Sequence, residues 1–225
     1  MRNYCTVLII FLVGIYQLNA QSKGFWLGLQ TGPQSNWIFN QDDFDSGGEL
    51  DHKSTIGFSV GLEAGYKFAS TSSLLLGFIY SSQGQNYSTA NNTIADYHTK
   101  LTYFKIPLLY QLSTPATKNL QFLFQTGFQL SLLMNAESSR LNTFGFYSPL
   151  SVDVKNSYSS TVVDFVLGVG VQYHFSPFSI SAIIRPDYSL TDIEKTGLKP
   201  SSRPQSQNLS VGIPQLVFRY YFGIK

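Results

Sequence analysis

The chain has 225 residues, of which 43% are hydrophobic, 15% aromatic and only 12% charged. That charged fraction is about half of what an ordinary soluble domain carries, and the aromatic content excludes a disordered polypeptide. A net charge of +2 without a basic run argues against nucleic acid as a partner, and one cysteine with three histidines leaves little material for a zinc site or a disulfide framework.

Residues 1–20 read as a secretory signal, with Arg2 as the positive start, Tyr4 to Leu18 as the apolar stretch and Leu18-Asn19-Ala20 as the small-residue cleavage site. The mature domain is expected to run over 21–225. Cys5 lies inside the apolar stretch, too early to be a lipidated cysteine, so the mature chain carries no thiol. Beyond Ala20 no apolar run is long enough for a membrane-spanning helix.

The first expected strand covers Gly24 to about Asn36. A long loop from Trp37 to Lys53 follows, in which Asp42, Asp43, Asp45, Glu49 and Asp51 are interleaved with Gly47 and Gly48. Clustered carboxylates suit a hard cation, but this spacing matches no defined calcium loop, and a solvated acidic loop is the simpler reading. From Ile56 to Phe68 the even positions are apolar or aromatic, while the odd ones are Gly57, Ser59, Gly61, Glu63, Gly65 and Lys67. Strict alternation over such a length predicts a strand about twice the usual globular one.

A strand from Leu74 to about Gln83 comes next, then a loop from Gly84 to Thr99. Phe104 to Leu112 alternates again, with Phe104, Ile106, Leu108, Tyr110 and Leu112 opposite Lys105, Pro107, Leu109 and Gln111. Phe122 to Met134 and Phe165 to Phe175 repeat the pattern across a loop from Ala136 to Ser160, placing Gln125, Gln129, Asp164 and Gln172 on the second face. Ser179 to Tyr188 and Asn208 to Phe222 complete eight strands around a loop from Ser189 to Gln207. In the last strand the apolar parity switches across Pro214, as a β-bulge would make it do.

The connections alternate short and long, and the strand count is even. With an apolar outward band, this predicts an all-β fold: an eight-stranded antiparallel up-and-down transmembrane β-barrel, placed in the Gram-negative outer membrane and in contact with its lipid. Trp26, Tyr66, Phe68, Tyr110, Tyr173, Tyr220 and Tyr221 are natural members of interfacial aromatic girdles. The inward residues Glu63, Lys67, Lys105, Asp164, Arg185 and Arg219 form a candidate polar network of four cations and two carboxylates. Its simplest role is to plug and rigidify a narrow barrel; the functional alternative is a polar ligand or ion path. Sign and parity alone make Glu63 and Arg185 a pair worth testing.

The segments Tyr103-Phe104-Lys105-Ile106-Pro107-Leu108-Leu109, Leu167-Gly168-Val169-Gly170-Val171, and Arg185 followed by Tyr188-Ser189-Leu190-Thr191-Asp192-Ile193 carry a family resemblance. They resemble the recurrent strand motifs of the PorT-like family of small outer-membrane barrels, over essentially the whole mature chain. The sequence departs from that pattern at Lys105 and at Gly77, where an acidic residue is common. The resemblance implies an outer-membrane location and, for some members, a link to type IX protein secretion and gliding.

Catalytic features are sparse. His174-Phe175-Ser176 resembles the His-x-Ser of outer-membrane lipid A deacylases, yet the loop alternation puts it at a short turn beside Pro177, where a turn serine is expected. His52 and His98 lie in long loops without a nucleophile at fixed spacing. No catalytic residue, cofactor or metal is assigned. The expected function is that of a non-enzymatic envelope protein that contacts envelope or secretion proteins through its outer loops. The alternatives are a narrow porin-like channel and a lipocalin-like ligand-binding barrel, the latter suggested by Gly24-Phe25-Trp26.

Overall fold

The computed structural model describes residues 24–39, 50–53, 55–89, 97–115, 119–140, 150–195 and 205–222. The expected signal segment, residues 1–20, and Asp42, Asp43, Asp45 and Glu49 lie outside them. Eight long strands build the molecule: β1 (Gly24–Phe39), β2 (Thr55–Lys67), β3 (Ser72–Thr89), β4 (Tyr97–Ser113), β5 (Leu120–Arg140), β6 (Thr161–Phe175), β7 (Phe178–Ser189) and β8 (Gln207–Phe222). Each pairs antiparallel with its chain neighbours, and β1 pairs with β8 from Phe25↔Phe222 to Phe39↔Gln207, so the eight long strands form a closed ring. A closed ring is what lets strands cross hydrocarbon, because every backbone N–H and C=O then finds a partner inside the protein.

The side chains sort by parity as the sequence predicts. Outward positions such as Phe25, Leu62, Phe78, Leu108, Phe128, Val169, Ile184 and Phe218 are exposed aliphatics and aromatics, while their inward neighbours are buried and mostly polar or glycine. This inverts the arrangement of a lipocalin, whose lumen is greasy and whose outside is polar, and it removes the lipocalin-like reading. The parity switch at Pro214 is a bulge, with the register of β8 shifting between Gly212 and Gln215 against β7 and between Gly212 and Leu216 against β1. Pro33 lies in the facing shift of β1, between Thr31 and Gln34. Neither proline offers an N–H to the ladder, so the extra residue sits where no bond is lost.

Two corrections concern the aromatic girdle. Trp26 and Tyr221 are 1% and 6% exposed and point into the lumen, their rings tilted by 39° with centroids 5.7 Å apart. Their parity is that of Gly28 and Arg219, opposite to the lipid-facing Phe25, Leu27, Tyr220 and Phe222. Tyr66, Tyr173 and Tyr220 do face outward.

Strands also run further than hydropathy suggests. About 9 to 11 tilted residues cross a bilayer, yet β5 has 21 residues and β3 has 18. The sequence-expected loop from Gly84 to Thr99 is largely strand, paired from Gly84↔Lys100 to Tyr87↔Tyr97. Beyond the bilayer both faces can be polar, so the period-two signal fades while backbone pairing continues. Two short strands extend the wall at this end: Leu50–Lys53 pairs with β3, placing Asp51 opposite Ser88, and Leu150–Asp153 pairs with the end of β5.

Candidate functional site

Each of the eight long strands contributes to one site, the lumen. Near the short-turn end, Trp26 of β1 packs with Leu75, Leu109, Val166 and Tyr221. Gly65 on β2 makes this possible: a Cβ there would lie 2.0 Å from the Trp26 ring. The Trp26 indole N–H donates to Glu63 Oε1 at 3.4 Å, and the same oxygen receives Arg219 Nε at 2.5 Å. Arg219 also donates to Gln172 Oε1 at 3.2 Å and lies over the Trp26 ring, 5.4 Å from its centroid. Glu63 and Arg219 are both fully enclosed, so the pair is a desolvated, charge-assisted contact with an aromatic wall.

A second pair crosses the barrel. Lys105 Nζ on β4 donates to Asp187 Oδ1 on β7 at 2.7 Å, with both side chains buried. Arg185, two residues from Asp187, donates to Gln30 Oε1 at 3.1 Å and feels the charges of both Glu63 and Asp187. Asp164 on β6 accepts from Gln129 Nε2 at 3.0 Å and from the Ser131 hydroxyl, and lies within the fields of Asp187 and Lys105. Arg219, Glu63, Arg185, Asp187, Lys105 and Asp164 thus alternate in sign along the lumen.

Of the six sequence-predicted network residues, five join this ladder. Lys67 does not: it is half-buried at the turn end and makes no ion pair among the described residues. Glu63 does not bond Arg185, its partner by sign and parity; it bonds Arg219, which sits across Gly28 on the far side of β1. Asp187 is the member that sequence reasoning missed, although it shares the parity of Arg185 and was findable by that rule. Gly77, where the PorT-like pattern favours an acidic residue, has its Cβ position 2.8 Å from the Pro107 ring. A carboxylate side chain does not fit there without moving β4.

At the long-loop end the lumen becomes apolar. Ile38, Leu101, Tyr103, Leu133, Ala136 and Val162 line the mouth, and Ile193 from the connection between β7 and β8 is inserted among them with no exposed surface. Val154 and Tyr158, from the connection between β5 and β6, pack against it. Backbone bonds hold this latch: Ser159 N–H donates to Ile193 O at 2.8 Å, Lys195 N–H to Ser157 O at 2.9 Å and Ile193 N–H to Ser206 O at 3.0 Å. Asp192 Oδ1 accepts from the N–H groups of Glu194 and Ser206. The Leu190-Thr191-Asp192-Ile193 motif is therefore a loop that folds back over the mouth.

The histidines build no catalytic constellation among the described residues. His174 bonds Gln121 at 2.6 Å and packs on Tyr221 at 5.4 Å, while Ser176 lies in the exposed turn after it. His98 bonds Asn86, and His52 stands opposite Tyr87 in a short strand.

A closed antiparallel barrel with an apolar exterior and a charged, filled lumen is a transmembrane β-barrel. The family model for the outer membrane protein beta-barrel domain matches residues 17–195, and the chain belongs to that family. It is a protein of the Gram-negative outer membrane, where its exterior meets membrane lipid. None of the curated proteins matches it. Among solved structures it is similar to Neisserial surface protein A, at 14% identity and TM-score 0.44 over 90% of this chain and 100% of that one. It is also similar to Ail, the attachment invasion locus protein of Yersinia pestis, at 14% identity and TM-score 0.42 over 89% and 100%. OprG from Pseudomonas aeruginosa is similar at 14% identity and TM-score 0.43 over 89% and 97%.

Proposed function

We propose that this chain is a non-enzymatic, plugged barrel of PorT-like kind that anchors outer loops in the membrane and presents them to envelope or secretion proteins. The observation that carries the reading is occlusion at two levels: the Lys105–Asp187 pair spans the lumen, and Ile193 stoppers the mouth. Eight strands leave an interior that side chains nearly fill, so a wall this densely bonded supports a scaffold rather than a conduit. The short-turn end faces the periplasm and the latch faces outward, the usual orientation of such barrels.

One observation favours a narrow channel instead: the charged groups line the lumen continuously, as an ion path requires. Planar-bilayer recording on the purified protein separates the two. The scaffold reading expects near-zero conductance, and a steady wild-type conductance would overturn it. Deleting the gene and comparing secreted proteins tests the secretion link, which an unchanged secreted set would remove.

A further inference from the structure

We propose that the turn-end mouth of the barrel receives a carboxylate side chain of an acidic peptide segment from the periplasm, with Lys67 as its counter-ion. The periplasmic address rests on the orientation proposed above, and the chemistry rests on the mouth itself.

The mouth is a ring of inward side chains at the foot of the strands, formed by Lys67, Ser73, Gln121, His174, Ser179 and Tyr221. Lys67 ends β2, with Gly24 of β1 on one side and Ser73 of β3 on the other, so its ammonium is flanked by a bare backbone and a small hydroxyl. His174 stands on β6, four strands away around the ring. It bonds Gln121 at 2.6 Å, packs on Tyr221 at 5.4 Å and lies in the fields of Lys67 and Arg219. The basic groups of opposite walls thus converge across the opening. Lys67 and His174 are half-buried, so both are reached from solvent without any cavity having to open.

Charge at this end is one-sided. On the turn side of the Lys105–Asp187 pair, Lys67, Arg185 and Arg219 stand against Glu63 alone, and the balance stays positive even with Arg185 assigned to Asp187. Glu63 is committed to Arg219 at 2.5 Å. The short connections, 68–71, 114–119 and 176–177, contain no aspartate or glutamate, whereas the long connection after β1 holds Asp42, Asp43, Asp45, Glu49 and Asp51. Lys67 therefore has no ion partner among the described residues, and a half-buried ammonium favours an anion supplied from outside.

Parity selects the source of that anion. A phospholipid headgroup lies outside the wall, where the outward residues at this end are Phe25, Tyr66, Tyr173, Tyr220 and Phe222, without a cation. Lys67 faces the bore instead. An eight-stranded bore is nearly filled, so it admits one slim side chain, and the hydroxyls and amide of the ring suit the polar end of a glutamate.

The test titrates the full protein, purified in a zwitterionic detergent at low ionic strength, with a peptide of six glutamates while NMR follows the His174 and Tyr221 rings. Their signals should shift saturably with this peptide and stay still with a six-glutamine control. Lys67→Gln should weaken binding by about tenfold or more, the loss of one charge-assisted contact, and Lys67→Arg should retain it. Ser73→Asp sets a carboxylate opposite Lys67 and should block the peptide independently, which decides the matter if Lys67→Gln fails to fold. No shift in the wild type, or undiminished binding by the two blocking variants, would overturn the proposal. Inorganic phosphate producing the same shifts at the same concentration would overturn the peptide as the source, and a response to phosphatidylglycerol vesicles alone would put a lipid in its place. Labelling of Ser176→Cys by an impermeant maleimide on intact cells would overturn the periplasmic address while leaving the binding result intact.

Discussion

Leu108 and Leu109 are adjacent on β4 and live in different solvents: the first is 51% exposed toward the bilayer, the second is wholly enclosed in the lumen. The outer face asks only that side chains be apolar, so its contributions are local and nearly interchangeable. The inner face asks for particular partners, because a buried charge without its counterpart is far costlier than a missing methyl group. The same strands therefore carry one surface that tolerates much change and another that tolerates little.

The sharpest way to break this comparison is at the turn-end pair. Glu63→Gln should cost about 3 to 5 kcal/mol by leaving Arg219 enclosed without its carboxylate. The double variant with Arg219→Gln should cost clearly less than the two single losses together, as urea unfolding in lipid vesicles will show. Additive losses would mean that the inner face behaves like the outer one. Next in size, Leu108→Arg should cost about 2 to 4 kcal/mol if the bilayer midplane crosses β4 there. A lipid-soluble quencher applied to single-cysteine variants from Phe104 to Leu112 should report contact at even positions only, and contact at odd positions would sink the register.

Ile193→Ala removes the stopper and should cost about 2 kcal/mol. The loss should be confined to the outer connections, read as faster protease cleavage there while amide exchange in β5 and β6 stays slow. The smallest effect is expected at the turn-end rim, where Lys67 lacks an ion partner among the described residues and Lys67→Gln should change stability by less than about 0.5 kcal/mol.

The eight strands, their faces and the bulge at Pro214 were legible in the sequence because lipid imposes one rule on every second residue. Trp26 and Tyr221 show where that reading went astray: aromatic identity suggested a girdle, but the parity of their own neighbours placed them inside. What alternation cannot show is who meets whom across the lumen. Lys105 and Asp187 lie on strands that never pair, and their meeting depends on strand tilt and stagger, which no local pattern records. The latch was hidden for a different reason. Ile193 sits in a polar, irregular stretch without periodicity, and its burial depends on a second connection that supplies Tyr158.

The seam between β1 and β8 also governs how the molecule comes into being. Phe25 finds its ladder partner in Phe222, so the first strand to be exported is the last to be completed. Contacts of such long range are slow to form, because the chain must close its largest loop before any bond rewards it. Until β8 arrives, β1 exposes a bare row of donors and acceptors beside an apolar face, the combination that invites aggregation. Ring closure is therefore a late event that waits for β8 rather than the sum of independent hairpins.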